Sequence, residues 1–329
     1  MKRVIGIGNA LVDVLAPIDN DKILNDLSLP KGSMQLISEE QFRAFSRLME
    51  DMDTSRATGG SAANTILAIA QLGGEPGFIG KIGDDEAGRF FADYFCQQGV
   101  QTRLKRSGLP NGIASTFISP DGQRTFGTYL GAAAGLTADD LDAATFEGYD
   151  YLYVEGYLVQ NHSLIDRAFE LAHAAGMQVC LDMASYNIVE EDYDFFVHLV
   201  GQTDILFANA DEARVFTGHG PHEAADELVQ TNPIVVVKNG KRGAVIRSAD
   251  EAFDVPALDV PRVVDTTAAG DFFAAGFLYG VAQGWPLRRS AELGSLLAGH
   301  IIQVAGTALP PASWADIKAN PLFLEDADA

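Results

Sequence analysis

The chain of 329 residues is short of basic residues, of cysteine and of long apolar runs, and each shortage closes off a class of protein. Lys and Arg number 23 against 45 Asp and Glu, a formal net charge of −22. Nucleic acid and anionic membranes would be repelled by that charge, so neither is expected as a partner. Only Cys96 and Cys180 occur, which indicates no disulfide framework and fits a reducing, cytoplasmic compartment. No apolar stretch reaches the roughly 18 to 20 uncharged residues of a membrane span. Met1-Lys2-Arg3 and the apolar run after it have the outline of a secretory leader, but Asn9 and Asp13 interrupt it and no small-residue cleavage pattern follows. The run is read as a strand. The six histidines form no His-x3-His pair of metal type, and the chain lacks Gly-x4-Gly-Lys-Ser/Thr and the protein-kinase signature set. Gly6-x-Gly8 has no third glycine and does not open a helix, so a dinucleotide fingerprint is excluded as well.

Present instead is Asp265-Thr266-Thr267-Ala268-Ala269-Gly270-Asp271, a small-residue turn that runs straight into the helical pattern Phe272 to Leu278. The first amides of a helix are unpaired and its dipole is positive there, so the turn is an anion cradle with a carboxylate beside it. That pairing points to phosphoryl transfer, in which the cradle holds the moving phosphate while Asp271 takes a proton from the attacking hydroxyl. A helix-capping Asp is the competing reading; the coincidence of turn, acid and helix favours chemistry.

With 47% hydrophobic residues, the chain suffices for one large domain or a large domain with a smaller one. Short β-branched runs alternate with helical patterns. Val4 to Gly8, Gly77 to Ile82, Tyr151 to Val154, Gln178 to Asp182, Ile205 to Ala208, Ile234 to Lys238 and Ala244 to Arg247 read as strands. Ala62 to Gln71, Ala87 to Gln97, Leu164 to Ala175 and Glu223 to Gln230 read as helices. Alternation of this kind predicts an α/β fold, a mostly parallel sheet with helices on both faces. Two stretches, 11–55 and 101–130, break the rhythm. They carry strand-like pieces (Val12 to Ile18, Ser33 to Ile37, Ile113 to Ser119, Arg124 to Tyr129) with no full crossover helix between them and a hairpin turn at Asp121-Gly122. They are expected to form a small β-sheet beside a large domain made of 1–10, 56–100 and 131–329.

Four segments together resemble the PfkB-type, or ribokinase-like, family of sugar and nucleoside kinases: Gly6 to Asp13, Gly59 to Asn64, Asn209-Ala210-Asp211-Glu212 and the heptapeptide. They stand in the family's order and span nearly the whole chain. The resemblance implies a Rossmann-like central domain, a β-sheet lid that closes over the substrate, ATP as donor, Mg2+ and, as a further candidate, a monovalent cation such as K+. It implies that Asn9 and Asp13 hold the acceptor, Asp13 by accepting two hydrogen bonds from a vicinal diol, and that Gly59, Gly60 and Asn64 form the ribose-binding group. Asn209 and Glu212 would place magnesium through water, since that ion keeps several of its waters. Lys238, Gly240, Gly243, Thr266 and, on a C-terminal helical pattern, His300 are candidates for the nucleotide side, with His300 equally open as a packed residue. Arg124 is either a lid arginine that swings onto the transferring phosphoryl group or an exposed cross-strand residue. Ala268 stands where the family usually has Gly, which matters only if that residue must adopt positive φ. Asn9, Asp13 and the run Gln35-Leu36-Ile37-Ser38-Glu39 look most like adenosine kinases, with Gln35 facing the purine. The expected activity is phosphorylation of the 5′-hydroxyl of adenosine or a close nucleoside by a monomer or homodimer. A ribokinase- or fructokinase-type sugar kinase and a catalytically silent nucleoside binder remain as alternatives.

Overall fold

The computed structural model describes residues 1–324. Its strands form two sheets. The large one has nine, in spatial order β14 (Ala252–Val255), β13 (Ala244–Ser248), β12 (Ile234–Lys238), β11 (Ile205–Asn209), β10 (Gln178–Asp182), β9 (Tyr151–Glu155), β1 (Val4–Ile7), β5 (Gly77–Gly83) and β6 (Gln101–Ser107). From β12 to β6 all pairings are parallel; β13 and β14 add an antiparallel edge. Its central strands are apolar along most of their length because helices cover both faces. Helices Ser61–Leu72, Ala269–Gln283 and Leu287–Ile301 pack on one face, and His162–Ala174, Tyr193–Val200 and Pro221–Leu228 on the other. Among the described residues no helix is long and apolar enough to cross a membrane.

The small sheet orders β3 (Met34–Leu36), β8 (Arg124–Tyr129), β7 (Gly112–Ile118), β2 (Leu11–Pro17) and β4 (Ser55–Gly59). It has its own apolar core, with Ala16, Ile37, Phe45, Met49 and Phe117 among its members. The turn at Asp121-Gly122 forms as expected, with Gly122 at φ 84° and the Gln123 amide donating to Asp121 Oδ1 at 3.1 Å.

Three expectations are corrected. Residues 11–55 hold a helix, Glu39–Met49, which buries Phe45 and Met49 in the small core; its start is a capping box between Ser38 and Gln41. The boundary expected at 56 falls inside β4, which pairs with β2 in the small sheet. The strand after 101 is β6, paired with β5 at the rim of the large sheet. Its sequence, Gln-Thr-Arg-Leu-Lys-Arg-Ser, carries charge on both faces as an edge strand does, and so gave no apolar period to read.

β1 lies between β5 and β9, which the chain lays down later on opposite sides of it. Open α/β sheets bind ligands in the crevice beyond such a reversal, outside the carboxyl ends of the strands. Asn9 and β2 begin there.

Candidate active site

A cavity of about 1230 Å³ lies between the two sheets, over the carboxyl ends of β1 and β9 to β12. Asp271, in the first turn of helix Ala269–Gln283, lines it. Its Oδ1 accepts from Ser61 Oγ at 2.7 Å and its Oδ2 from Asn64 Nδ2 at 2.8 Å. Burial pushes the carboxyl up to about 6, against those two hydrogen bonds and the Lys238 charge, while the charge of Asp182 adds to the rise. A group of that acidity is ionised at neutral pH and still basic enough to accept a proton.

The turn before it is built on Asp265. Thr267 donates to Asp265 Oδ1 through its amide (2.9 Å) and its hydroxyl (2.7 Å), and the Gly306 amide to Oδ2 at 3.0 Å. Ala268 sits at φ 61°, ψ 4°, so the alanine does occupy a left-handed position that favours glycine. The Ala269 amide donates to Thr266 O at 3.2 Å and is spent, whereas no carbonyl among the described residues takes the amides of Ala268, Gly270 or Asp271. Of the four amides from Ala268 to Asp271, three are therefore left for an anion.

At one end of the cavity the glycine pair explains itself. A Cβ on Gly59 would meet Asp13 Oδ1 at 2.4 Å, and one on Gly60, at φ 105°, would meet Asn9 O at 2.2 Å. Asp13 on β2 is pushed up to about 7 by burial, opposed only by the Arg124 charge. Asn9 is held by a residue sequence reasoning missed: Glu155 Oε1 accepts from Asn9 N at 2.8 Å and from Asn9 Nδ2 at 2.6 Å, while Oε2 accepts from the Ala62 amide at 2.8 Å. Glu155 is 1% exposed and burial drives it up to about 7. Asn64 Oδ1 is buried and has no partner.

At the other end, Asn209 and Glu212 cap helix Ala210–Thr217 reciprocally, and burial pushes Glu212 up to about 7. Lys238 Nζ pairs with Asp182 Oδ2 at 2.7 Å. Burial disfavours the ammonium, but Asp182 and Glu212 outweigh it and hold its pKa above the ordinary lysine value. Gly240, Lys241, Gly243 and Thr266 line the same end. Asp182 and Tyr157, which also line the cavity, went unread in the sequence. The available signal was positional: Glu155, Asp182, Asn209 and Lys238 each terminate an apolar parallel strand.

Three expected residues stand elsewhere. Gln35 is exposed and its side chain donates to Ser33, because strand alternation turns Met34 and Leu36 to the cavity instead. His300 is half-buried on a different face of its helix from Ser295, Ala298 and Gly299, which line the cavity at i, i+3 and i+4. Burial lowers its pKa. Arg124 is buried, not an exposed cross-strand residue: Nε lies 3.1 Å from Asp265 Oδ2, and Nη2 is buried without a partner.

Among the described residues no three His, Cys, Asp or Glu side chains are grouped to hold a metal. Asp182 and Glu212 offer oxygens of the type magnesium prefers, one already paired with Lys238. They fit the ion only as support through water, with the remaining ligands supplied by phosphate and solvent.

A buried carboxyl in a helix start has bare amides beside it and polar groups converging on it from both sheets. The family model that matches residues 31–314 is that of the pfkB family carbohydrate kinases. The chain belongs to the pfkB family. A probable sugar kinase from Rhizobium etli CFN 42 is 34% identical, with a TM-score of 0.85 over 96% of this chain and 97% of that one. The adenosine kinase from Sinorhizobium meliloti has the same identity and TM-score over 96% and 98%. A 5-dehydro-2-deoxygluconokinase from Geobacillus thermodenitrificans is 26% identical over 306 residues, 88% of this chain and 90% of the relative. This pfkB kinase is accordingly an ATP-dependent phosphotransferase that acts on the alcohol group of a small molecule.

Proposed function

We propose that the enzyme phosphorylates the 5′-hydroxyl of adenosine or a close nucleoside, with Asp271 as general base and the amides of Ala268, Gly270 and Asp271 receiving the transferred phosphoryl group. The observation that carries this reading is the make-up of the cavity beside Asp13. Leu11, Met34, Leu36, Phe126 and Leu130 present apolar surface there, and Tyr157 adds an aromatic ring. A flat heterocycle gains from such surface, whereas a bare polyol would leave it wet. Asp13 would grip the ribose diol and Asn64 Oδ1, buried and unpartnered, would take a hydroxyl proton. Lys238, Gly240, Lys241 and Gly243 would face the nucleotide with magnesium bridging its phosphates, and the small sheet would act as the lid that keeps water out.

A sugar kinase is the second reading, favoured by the names of the relatives at 26 to 29% identity. The acid named for those relatives carries a carboxylate, and the residues lining the cavity around Asp13 include no cation to receive one. ADP release is to be measured with adenosine, other nucleosides, ribose, fructose and 5-dehydro-2-deoxygluconate. Turnover with a nucleoside alone is expected. Turnover confined to the sugars would overturn the acceptor, and tight nucleoside binding without turnover would make the protein a silent binder. Asp271→Asn should reduce kcat by at least roughly 10³-fold while leaving acceptor affinity within a few-fold.

A further inference from the structure

Helix Ser61–Leu72 begins in an unusual way. Its N-cap is Gly60, which has no side chain to cap with, and the hydroxyl of Ser61, the first helical residue, satisfies none of the helix's own amides. Serine near a helix start ordinarily bonds to nearby backbone. Here Ser61 Oγ reaches across to Asp271 Oδ1, 210 positions on, at 2.7 Å. Asn64, one turn further, takes the other oxygen, and Thr65 Oγ1 lies 3.2 Å from both Ser61 O and Asp271 O. The two helix starts are thereby locked to each other at the atoms that react.

We propose that Ser61 is a positioning residue for phosphoryl transfer: its hydroxyl fixes one oxygen of the Asp271 carboxylate, favours the ionised form, and leaves a lone pair facing the cavity for the acceptor's proton. The inference rests on the reading of Asp271 as the base. A carboxylate has about four lone-pair sites, so two donors hold its plane and still leave room for the incoming hydroxyl. Hydrogen bonds to the charged form lower a carboxyl pKa, and the bonds from Ser61 and Asn64 work here against burial. The other groups that face Asp271 act through space: Lys238 from β12 favours ionisation, Asp182 from β10 opposes it, and Tyr153 and Glu155 on β9 and Tyr157 just after it complete the surroundings. Among the described residues only Ser61 and Asn64 donate to the carboxylate itself. Asn64 is also assigned to the acceptor, so Ser61 is the residue whose effect can be isolated.

The test compares wild type, Ser61→Ala and Ser61→Thr in the pH dependence of kcat, and follows the Asp271 carboxyl by 13C NMR in the substrate-free enzyme. In Ser61→Ala both the acid inflection of kcat and the NMR midpoint should rise by about one pH unit, the size expected for losing one hydrogen bond to a charge. Turnover should drop about fivefold at pH 6 and approach tenfold below about pH 5, with a loss that shrinks as pH rises and with acceptor KM within about twofold. Ser61→Thr should restore both midpoints. A fall in kcat by the same factor at every pH, with neither midpoint moved, would overturn the proposal and leave Ser61 a packing residue. Were the NMR midpoint to move while the rate profile stood still, the contact would be real but Asp271 would not be the base, and the proposed function would fall with the role of Ser61.

Discussion

The two ends of the cavity handle buried charge in opposite ways. Around Asp13, two carboxyls are driven up to about 7, and the nearest cation, Arg124, is committed to Asp265. Around Lys238, a buried ammonium is held charged by Asp182 and Glu212, with Lys241 and three open amides nearby. A protein with a formal charge of −22 gains nothing from its overall field when it binds a nucleotide. The difference teaches that it concentrates its few positive groups at one end. The other end, under the proposed reading, keeps carboxyl and amide groups for the acceptor's hydroxyls, whose protons an ionised carboxylate receives well.

The largest way to break this contrast is Lys238→Met. Under the proposed reading it should lower kcat/KM for ATP by roughly 100-fold with little change in acceptor KM. It also leaves Asp182 buried without its cation, which costs about 3 to 5 kcal/mol. Adding Asp182→Asn should recover much of that stability in a denaturant titration while leaving ATP use impaired. If the double substitution restored ATP use too, Lys238 would serve only to neutralise Asp182, and the donor end would not be cationic by function.

Asp13→Asn sharpens the contrast from the acceptor side. Acceptor kcat/KM should fall about tenfold or more, the worth of one good hydrogen bond to a charge. Stability should move the other way. Asp13, Glu155 and Glu212 lie near 7 and Asp271 near 6 in the folded state, against about 4 unfolded. The folded protein therefore binds more protons than the unfolded one between about pH 4 and 7, and these groups weaken it progressively as pH rises through that window. Removing one of them should make Asp13→Asn more stable than wild type at pH 8, by on the order of 1.4 kcal/mol for each unit of raised pKa, with the gain vanishing towards pH 4. A variant less stable at pH 8 would show that Asp13 is a paired charge of Arg124 rather than a carboxylate held for substrate.

The same contrast marks how much was legible beforehand. The anion turn, the glycine pair and the Asn209–Glu212 cap are local, since their chemistry follows from residues within one turn of each other, and the sequence carried them. Glu155, Asp182 and Ser61 act across 56 to 210 positions, on Ala62, Lys238 and Asp271. Nothing in their immediate neighbours marks them beyond a polar residue closing an apolar strand or opening a helix. Arg124 was recognisable as special, but its partner lies on a loop 141 residues on, and only the packing of the small sheet on the large one brings the two together. Gln35 and His300 stand out of phase with the residues that line the cavity, a one-residue offset in a strand or a step of one in a helix turning the side chain to another face, and for His300 that agrees with the packed alternative.

The smallest expected effect tests the boundary between the ends, where Ala268 holds φ 61°. A left-handed alanine costs about 1 to 2 kcal/mol relative to its preferred conformations, while glycine at the same place loses roughly 0.5 to 1 kcal/mol more chain entropy on folding. Ala268→Gly should therefore stabilise by up to about 1 kcal/mol, on the order of 2 °C in Tm for a domain of this size. Turnover should change no more than about threefold, because the amide proposed to face the phosphoryl group is present in both. Ala184, at φ 64° beyond β10, lines the cavity as well but gives no amide to the turn. Ala184→Gly should show a similar gain in stability, so the pair separates relief of strain from any effect on the cradle. Should Ala268→Gly alone abolish activity, the alanine methyl would be holding the turn in place, and the three amides would not form the anion site that joins the two ends.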